Sequence, residues 1–391
     1  MLLKKLTALS LFCALAISLC LPAYAAGEVE KGRFEIPNFD VPCRSAILID
    51  QDSGTVLYEK EAERPVPIAS ITKVMTLLLT LEAVEDGRVT LKDKVPVSQH
   101  AYETGGSQIW LEPGEEFTLH ELLKAICVSS ANDAAVAVAE FIGGSEPAFV
   151  EMMNQKAVEL GMETTTFKNA CGLDEEGHIS SAKDVAIMSR EILTKHPKIM
   201  EYTTIWMDSL RNGETQLINT NKLLRRYPGM TGLKTGTTSR AGVCLSASAT
   251  RDGLSLIGVA LGSPSSAERF AAATALLDYG FANFESAAVP MPENAPQNVA
   301  VTDGCGESTA LVYDLPKNIL LKKGEKENLQ SNFELPEVVS APVEKGQQLG
   351  TVTVTADGQT LGSWPVCAAQ AVPELDFKFA LRTLWDAAFA Y

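Results

Sequence analysis

The strongest apolar pattern in the chain lies between residues 74 and 81, where only Thr76 and Thr80 are polar. A helix that is apolar on nearly all sides is buried in the core of a large domain. Ser70 and Lys73 stand three residues apart at the start of this predicted helix. Residues at that spacing lie on one helical face, so we expect these two side chains to contact each other.

The remaining pattern predicts strands first, helices in the middle and strands again. Turn residues between apolar runs predict hairpins at Gln51 to Gly54 and at Asp252-Gly253. Capping residues and apolar periodicity predict the central helices. The predicted elements are strands 46–50 and 55–59, helices 118–128, 133–142, 145–160 and 181–194, strands 230–237, 242–249 and 254–261, and a helix over 265–280. This order favours an α+β fold with an antiparallel sheet flanked by helices.

The sequence pattern changes near residue 285, where prolines interrupt the chain and short β-type segments follow. The segments 299–302, 310–313 and 350–355 predict a small all-β C-terminal domain over residues 285–372. Because this domain contains no candidate catalytic set, its expected role is spacing or binding.

The final segment, residues 373–391, predicts an amphipathic helix. Its apolar stripe comprises Phe377, Leu381, Leu384, Trp385 and Ala388. Two interpretations stay open: peripheral contact with a membrane interface, or docking of the helix on the β domain. The segment is too short and too charged to span a bilayer.

The N-terminus has the features of a secretion signal. Lys4 and Lys5 precede an apolar run, and the small residues around Tyr24 form a cleavage pattern that ends at Ala25. Residues 1–25 are therefore predicted to be a signal peptide, with an uncleaved membrane anchor as the alternative. Residues 26–40 follow as a predicted spacer, and 41–284 as the main domain. The protein is expected outside the cytoplasm.

The composition of the chain argues against nucleic-acid binding and gives no support for a metal site. The chain of 391 residues is 46% hydrophobic and carries a formal charge of −16, so it is large enough for two domains and would be repelled by nucleic acid. The cysteines show neither close pairs nor zinc spacing, and the histidines form no catalytic motif. No metal, cofactor or disulfide framework is predicted. The cysteines beyond the signal are Cys43, Cys127, Cys171, Cys244, Cys305 and Cys367.

Three short motifs carry the candidate chemistry: Ser70-x-x-Lys73, Ser130-Ala-Asn132 and Lys234-Thr-Gly236. They are predicted at the start of a buried helix, on a connection between helices, and on a strand at the edge of the sheet. Each motif alone is common in proteins, and the chain contains a second Ser-x-x-Lys at residues 180–183. It is their order and their matching structural contexts that favour a catalytic interpretation.

The first motif has the properties of an activated nucleophile. Unpaired N–H groups and the positive end of the helix dipole near Ser70 favour negative charge that develops on an attacked carbonyl. A half-buried Lys73 loses its proton more readily than an exposed lysine, as a general base for serine requires.

The motif set resembles that of penicillin-binding proteins and serine β-lactamases, and the chain closely resembles the secreted D-alanyl-D-alanine carboxypeptidases. The likeness covers residues 46–281, and residues 341–346 resemble the β-rich C-terminal domain of these enzymes. Ala131 departs from the family pattern, in which glycine is frequent. Further matching segments are Gly105-Gly-Ser-Gln108, Ser129 to Ala134, Phe167 to Leu173 with His178, and Leu277 to Phe281.

This resemblance implies a role for each motif residue. Ser70 would attack the carbonyl between two D-alanines of a cell-wall stem peptide, Lys73 would take the serine proton, and Ser130 would protonate the leaving D-alanine. Substrate-binding roles are implied for Asn132, Lys234, Thr235, Gly236, Thr237 and, less specifically, Arg240, which could equally be a solvated loop residue. The backbone N–H groups of Ser70 and Thr237 would form the oxyanion hole, Gly236 would let the substrate backbone approach, and β-lactams would acylate Ser70.

Two rival functions stay open from sequence. A β-lactamase shares the three motifs, but residues 164–170 lack the Glu-x-x-Leu-Asn pattern that one large class uses for deacylation. A non-catalytic wall-binding scaffold could keep the fold. The intact motifs argue against this second alternative, because a protein that has lost catalysis usually loses its nucleophile, base and charged binding residues first.

Overall fold

The computed structural model describes residues 30–389, and the predicted signal segment lies outside this range. In chain order the larger domain contains β1 (Glu30–Lys31), β2 (Ser45–Asp50), β3 (Thr55–Lys60), α1 (Lys73–Glu85), β4 (Lys94–Pro96), α2 (Gln99–Glu103), β5 (Glu116–Thr118), α3 (Leu119–Ser129), α4 (Asn132–Gly143), α5 (Glu146–Glu159), α6 (Ala182–Lys195), α7 (Met200–Thr203), β6 (Met207–Leu210), β7 (Thr215–Ile218), β8 (Met230–Thr238), β9 (Gly242–Arg251), β10 (Leu254–Ser263) and α8 (Ser266–Asn283). The predicted α+β fold is confirmed.

The main sheet has the order β1-β3-β2-β10-β9-β8, so β8 is an edge strand. Its strands pair antiparallel except for the short β1, which runs parallel to β3. Successive side chains of β2 enter cores on opposite faces of the sheet: Ile47 and Ile49 pack on the side of α1 and α6, Ala46 and Leu48 on the side of α8. Helices therefore cover both faces, as the continuous apolar strands require.

Helix α1 lies in the centre of the larger core, as its apolar pattern predicts. Every residue from Lys73 to Leu81 is buried. Ser70 precedes the helix on a 3₁₀ turn, Ala69–Thr72. Ala69 has a φ of +50°, a conformation that is uncommon for a residue with a side chain, and it turns the backbone into the helix just before Ser70.

The described part of the predicted spacer packs against the larger domain. Glu30 and Lys31 pair with β3, and Phe34 is buried with its ring edge-on to Phe284 at 4.8 Å between centroids. This part of the segment is held against the larger domain because its aromatic residues reach the core on the α8 side of the sheet.

The C-terminal region contains β11 (Phe284–Ala288), β12 (Asn298–Thr302), β13 (Ser308–Tyr313), β14 (Asn318–Lys322), β15 (Leu329–Glu334), β16 (Val338–Ser340), β17 (Gln348–Ala356), β18 (Gln359–Ala368) and α9 (Phe377–Phe389). Six of these strands form a separate sheet in the order β15-β17-β18-β13-β12-β16, with its own clusters of buried residues, most of them valines. Strand β11 pairs with β14 beside the larger domain. Across residues 30–389, none of the helices combines the length and apolar character needed to cross a membrane.

Candidate active site

The three motifs meet in one cleft of the larger domain. Ser70 lies on the turn before α1, Ser130 and Asn132 lie where α3 passes into α4, and Lys234 lies on the edge strand β8. Hydrogen bonds connect the first motif to the second through Lys73 and the second to the third through Lys234. Residues that are far apart in sequence are thus joined by short polar contacts.

Lys73 is fully buried and contacts three acceptors. Its Nζ donates to Ser70 Oγ at 2.9 Å, to Asn132 Oδ1 at 2.6 Å and to the Cys171 carbonyl at 2.6 Å. Burial lowers the pKa of Lys73 from 10.5 to about 8, against the opposing influence of Cys171 and Asp133. A lysine with this pKa is largely protonated at neutral pH but keeps a substantial neutral fraction that can act as a base.

The loop that supplies the Cys171 carbonyl is shaped by Asn169. Its Oδ1 accepts from the N–H groups of Gly172 at 2.7 Å and Leu173 at 3.1 Å. Gly172 adopts a φ of +87°, and a Cβ there would lie 2.0 Å from the Ala69 carbonyl oxygen. This loop therefore packs directly on the turn that carries Ser70. Sequence reasoning marked the segment by resemblance but assigned it no role.

Ser130 faces the cleft from a left-handed backbone conformation, with a φ of +61°. Its Oγ accepts from Lys234 Nζ at 2.8 Å, and the same ammonium donates to the Thr235 carbonyl at 2.8 Å. Burial, followed by the charge of Lys73, brings the pKa of Lys234 well below its usual range. Ser130 therefore has a proton-bearing neighbour within hydrogen-bond distance.

Asn132 uses both ends of its side-chain amide. Oδ1 accepts from Lys73, and Nδ2 donates to the Gly105 carbonyl at 2.7 Å. One lone pair and one N–H remain for a further partner. The adjacent Asp133 is fully buried and accepts from the backbone N–H groups of Ile109 and Leu111, which holds the loop after Gly105 beside the cleft.

The structure gives a reason for glycine at position 236 other than access for the substrate backbone. A Cβ at this position would lie 2.9 Å from both the Ile68 carbonyl oxygen and the Ser70 nitrogen. Glycine thus lets β8 approach the turn that carries Ser70. That Gly236 also makes room for a substrate backbone stays a prediction.

The other predicted binding residues have different surroundings. The Thr235 hydroxyl pairs with that of Thr220 at 2.6 Å, whereas Thr237 is exposed at the strand edge and its hydroxyl donates to the Gly236 carbonyl at 2.8 Å. Arg240 lies on the turn after β8, where its backbone contacts Asp174 and Arg44. Among the described residues, no hydrogen bond joins its guanidinium to the motif residues.

Two residues behind the cleft were not assigned from sequence. Arg269 on α8 is buried, and its guanidinium donates over 3.3–3.4 Å to the Gly236 and Cys244 carbonyls and to Thr237 Oγ1. His178 Nε2 is 2.7 Å from Thr72 Oγ1, while its Nδ1 accepts from the Lys168 N–H. Burial lowers the pKa of His178 to about 4, so the ring is neutral and braces the turn between Ser70 and Lys73.

Comparisons with known proteins identify the family. A family model described as D-alanyl-D-alanine carboxypeptidase matches residues 33–265, and one described as penicillin-binding protein 5, C-terminal domain, matches residues 286–374. The D-alanyl-D-alanine carboxypeptidase DacF from Bacillus subtilis is 44% identical over 348 residues, which are 88% of this chain and 89% of that protein.

Solved structures give the same result. Penicillin binding protein 5 from Haemophilus influenzae superposes with a TM-score of 0.77 and 29% identity, covering 87% of this chain and 100% of that one. Penicillin-binding protein D2 from Listeria monocytogenes, in a cefotaxime-bound form, gives a TM-score of 0.58 and 32% identity, covering 63% of this chain and 99% of that one. The chain belongs to the D-alanyl-D-alanine carboxypeptidase family and is a serine-type carboxypeptidase of the low-molecular-mass penicillin-binding proteins.

Proposed function

We propose that the enzyme releases the terminal D-alanine of peptidoglycan stem peptides through an acyl-enzyme on Ser70. Neutral Lys73 takes the Ser70 hydroxyl proton while Oγ forms a bond to the carbonyl carbon between the two D-alanines. The observation that carries this proposal is the 2.9 Å contact between the Nζ of fully buried Lys73 and Ser70 Oγ. A base within this distance can take the proton directly.

Collapse of the tetrahedral adduct breaks the C–N bond and expels D-alanine, whose nitrogen needs a proton. Ser130 donates it in this proposal and recovers one from Lys234, which lies 2.8 Å away. Water then attacks the acyl carbon and the bond to Ser70 Oγ breaks. The water proton passes to Ser70 Oγ, and the proton that Lys73 took in the first step returns to Lys234 as the shortened peptide leaves. The backbone N–H groups of Ser70 and Thr237 stabilise the negative oxygen in both steps.

The terminal carboxylate of the substrate is assigned to Lys234, with Thr235 and Thr237 as hydroxyl partners. Lys234 fits this role because its Nζ is buried at the sheet edge and, among the described residues, no carboxylate is hydrogen-bonded to it. Burial disfavours its charged form, and a bound substrate carboxylate would stabilise that form. Asn132 would use its remaining amide groups on the substrate peptide. Arg240 is retained as a weaker candidate, because it is exposed on the turn after β8.

We also propose that β-lactams acylate Ser70 and leave slowly. The cefotaxime-bound form of the Listeria monocytogenes relative supports acylation. Slow release is expected because Lys73 bonds to Ser70, Asn132 and Cys171 rather than to a carboxylate. Thr164 and Thr165, in the segment where one β-lactamase class carries its deacylating glutamate, bond instead to Asp184 of α6.

Two measurements on the purified protein test these proposals. D-alanine release from a soluble pentapeptide is expected, together with a penicillin adduct on the intact protein that persists for minutes or longer. An adduct that disappears within seconds, with rapid penicillin turnover and no D-alanine release, would favour a β-lactamase. The absence of both adduct and D-alanine would favour a non-catalytic scaffold.

The location of the enzyme outside the cytoplasm and its domain roles remain proposals. Residues 1–25 would direct secretion, residues 41–284 would hold the active site, and residues 285–372 would act as a spacing domain. Helix α9 would then contact the membrane interface, since Phe377, Leu381 and Trp385 are 81%, 55% and 64% exposed. Deleting the chain after Pro373 should release the protein from lipid vesicles and keep D-alanine release. Unchanged vesicle binding would contradict this role for α9.

A further inference from the structure

A basic pocket lies beside the strand that carries Lys234. We define it by Trp206, Lys222, Arg225 and Arg226, which line a cavity of about 440 Å³. The three basic residues are exposed, and the Arg225 guanidinium stacks over the Trp206 ring at 5.4 Å from its centroid. None of the motif chemistry described above uses these side chains.

The surrounding sequence is basic in a chain that is otherwise acidic. From residue 215 to residue 251 there are six Lys and Arg and no Asp or Glu, although the whole chain carries 49 acidic residues against 33 basic ones. The positively charged segment therefore extends from the basic pocket along β8 through Lys234. Such a concentration of one sign of charge attracts ligands of the opposite sign.

The cations of the basic pocket have no acidic partner among the described residues. Elsewhere in the larger domain, partly exposed bases do form such pairs: Lys124 with Asp208, Lys183 with Glu63 and Arg211 with Glu115. Asp208, which is close in sequence to Trp206, is engaged by Lys124 in this way. Three neighbouring cations repel each other, and a bound anion relieves this repulsion.

The basic pocket is built on a rigid segment that is attached to the active site. Buried Asn221 donates from Nδ2 to the Gly232 carbonyl on β8 at 3.1 Å. Thr220 contacts Thr235 through its hydroxyl and donates its N–H to the Val128 carbonyl, just before Ser130. Because these contacts fix the backbone that carries the basic side chains, an anion that binds in the pocket does not have to order this backbone, which lowers the entropic cost of binding.

From these observations we propose that the basic pocket is a second substrate-binding site, which takes a carboxylate of polymeric peptidoglycan outside the scissile D-Ala-D-Ala. This inference rests on the proposed function, since it names a further part of the same substrate. Arg225 and Arg226 suit carboxylate recognition because a guanidinium bonds both oxygens at once. A short soluble peptide would be cleaved without using this site, whereas the polymer would use both.

The test compares two substrates and two triple variants of the full protein. The pocket variant carries Lys222→Gln, Arg225→Gln and Arg226→Gln. The control variant removes the same charge from exposed lysines of the C-terminal domain, with Lys323→Gln, Lys326→Gln and Lys345→Gln. D-alanine release is measured from a soluble tripeptide ending in D-Ala-D-Ala and from insoluble peptidoglycan freed of phosphate-containing polymers, at low and high salt.

The pocket variant should lose about tenfold in kcat/KM on the polymer, because a few surface charge contacts with the substrate are removed. On the soluble peptide it should stay within about twofold of wild type. The control variant should match wild type on both substrates, and high salt should reduce the advantage of wild type over the pocket variant on the polymer.

Three outcomes would overturn the site: equal wild-type and pocket-variant rates on the polymer, equal losses on both substrates, or an equal loss in the control variant. A loss seen only when phosphate-containing polymers remain would overturn the carboxylate assignment. Failure of the proposed function would appear differently, as no D-alanine release by wild type from either substrate.

Discussion

Two Ser-x-x-Lys sequences in this chain have opposite environments. In the first, Lys73 is fully buried, its Nζ is 2.9 Å from Ser70 Oγ, and burial lowers its pKa to about 8. In the second, Lys183 is partly exposed and forms an ion pair with Glu63 at 2.8 Å, which raises its pKa. Ser180 is itself buried, and its hydroxyl bonds to Thr165 instead of the lysine.

Local backbone structure explains the difference. Ser70 lies on a 3₁₀ turn that continues directly into α1, so Lys73 follows it by one helical turn. Ser180 precedes the N-cap of α6, which is Ser181, and its backbone pairs with Val66. The spacing is therefore insufficient to make a nucleophile and base. A continuous helical turn and the removal of water from the lysine are also required.

The largest contrast is expected from removal of the two serines. Ser70→Ala should reduce D-alanine release and penicillin labelling by at least about 10³-fold, because the attacking oxygen is lost. Ser180→Ala should stay within about twofold of wild type. Steady-state kinetics and intact mass measure both effects, and normal labelling of the Ser70→Ala protein would refute the assignment.

Removal of Lys73 should give the next largest effect. Lys73→Met should slow acylation by about 10²–10⁴-fold, the usual contribution of general-base catalysis. The variant should fold, since methionine replaces a buried amine with an apolar chain of similar length. Stopped-flow acylation and thermal unfolding test the two expectations, and a Lys73→Met enzyme that acylates at the wild-type rate would contradict the base assignment.

His178 joins the two regions, because its ring contacts Thr72 and it lies two residues before Ser180 in the chain. Its pKa falls from 6.5 to about 4 on folding, so the unfolded chain binds the proton more strongly. Stability should therefore decrease as pH falls from 6.5 towards 4, by about 3 kcal/mol from this residue. Urea unfolding should show that the advantage of wild type over His178→Asn shrinks across this window. A constant difference would exclude the neutral buried ring.

The smallest effect is expected at Lys183. Its ion pair with Glu63 is at the surface, with 36% and 73% of the side chains exposed, and such pairs contribute about 0–1 kcal/mol. Lys183→Ala should thus unfold within about 1 kcal/mol of wild type and keep full activity. A large loss of activity would show that the second Ser-x-x-Lys sequence is functional.

Much of the larger domain follows from local sequence signals. The α3 capping box at Thr118 and Glu121 and the turn at Asp252-Gly253 are both present. The C-terminal domain is less predictable: the sequence pattern does not identify β11, β14, β15, β16 or β18. Strand β18 contains Gly362 and Pro365, which weaken a strand pattern, and its stability comes from pairing with β17 and β13.

The residues of the active site also fall into those that the sequence predicts and those that it does not. Ser70, Lys73, Ser130 and Lys234 were predicted because short motifs carry their chemistry. The Cys171 carbonyl and Arg269 could not be found by motif, since a backbone acceptor has no residue signature and Arg269 reaches β8 from a distant helix. The positive φ of Ala69 is likewise imposed by packing, because alanine does not favour it locally.

The central claim is that burial converts Lys73 into a base, and the pH dependence of acylation tests it most directly. The second-order rate of wild-type acylation by a chromogenic β-lactam should rise about tenfold per pH unit from pH 6, as the amine loses its proton. It should level near pH 8, and Lys183→Ala should give the same curve. A rate that keeps rising beyond pH 10, as an ordinary solvated lysine would give, or one that is constant between pH 6 and 9, would contradict the account.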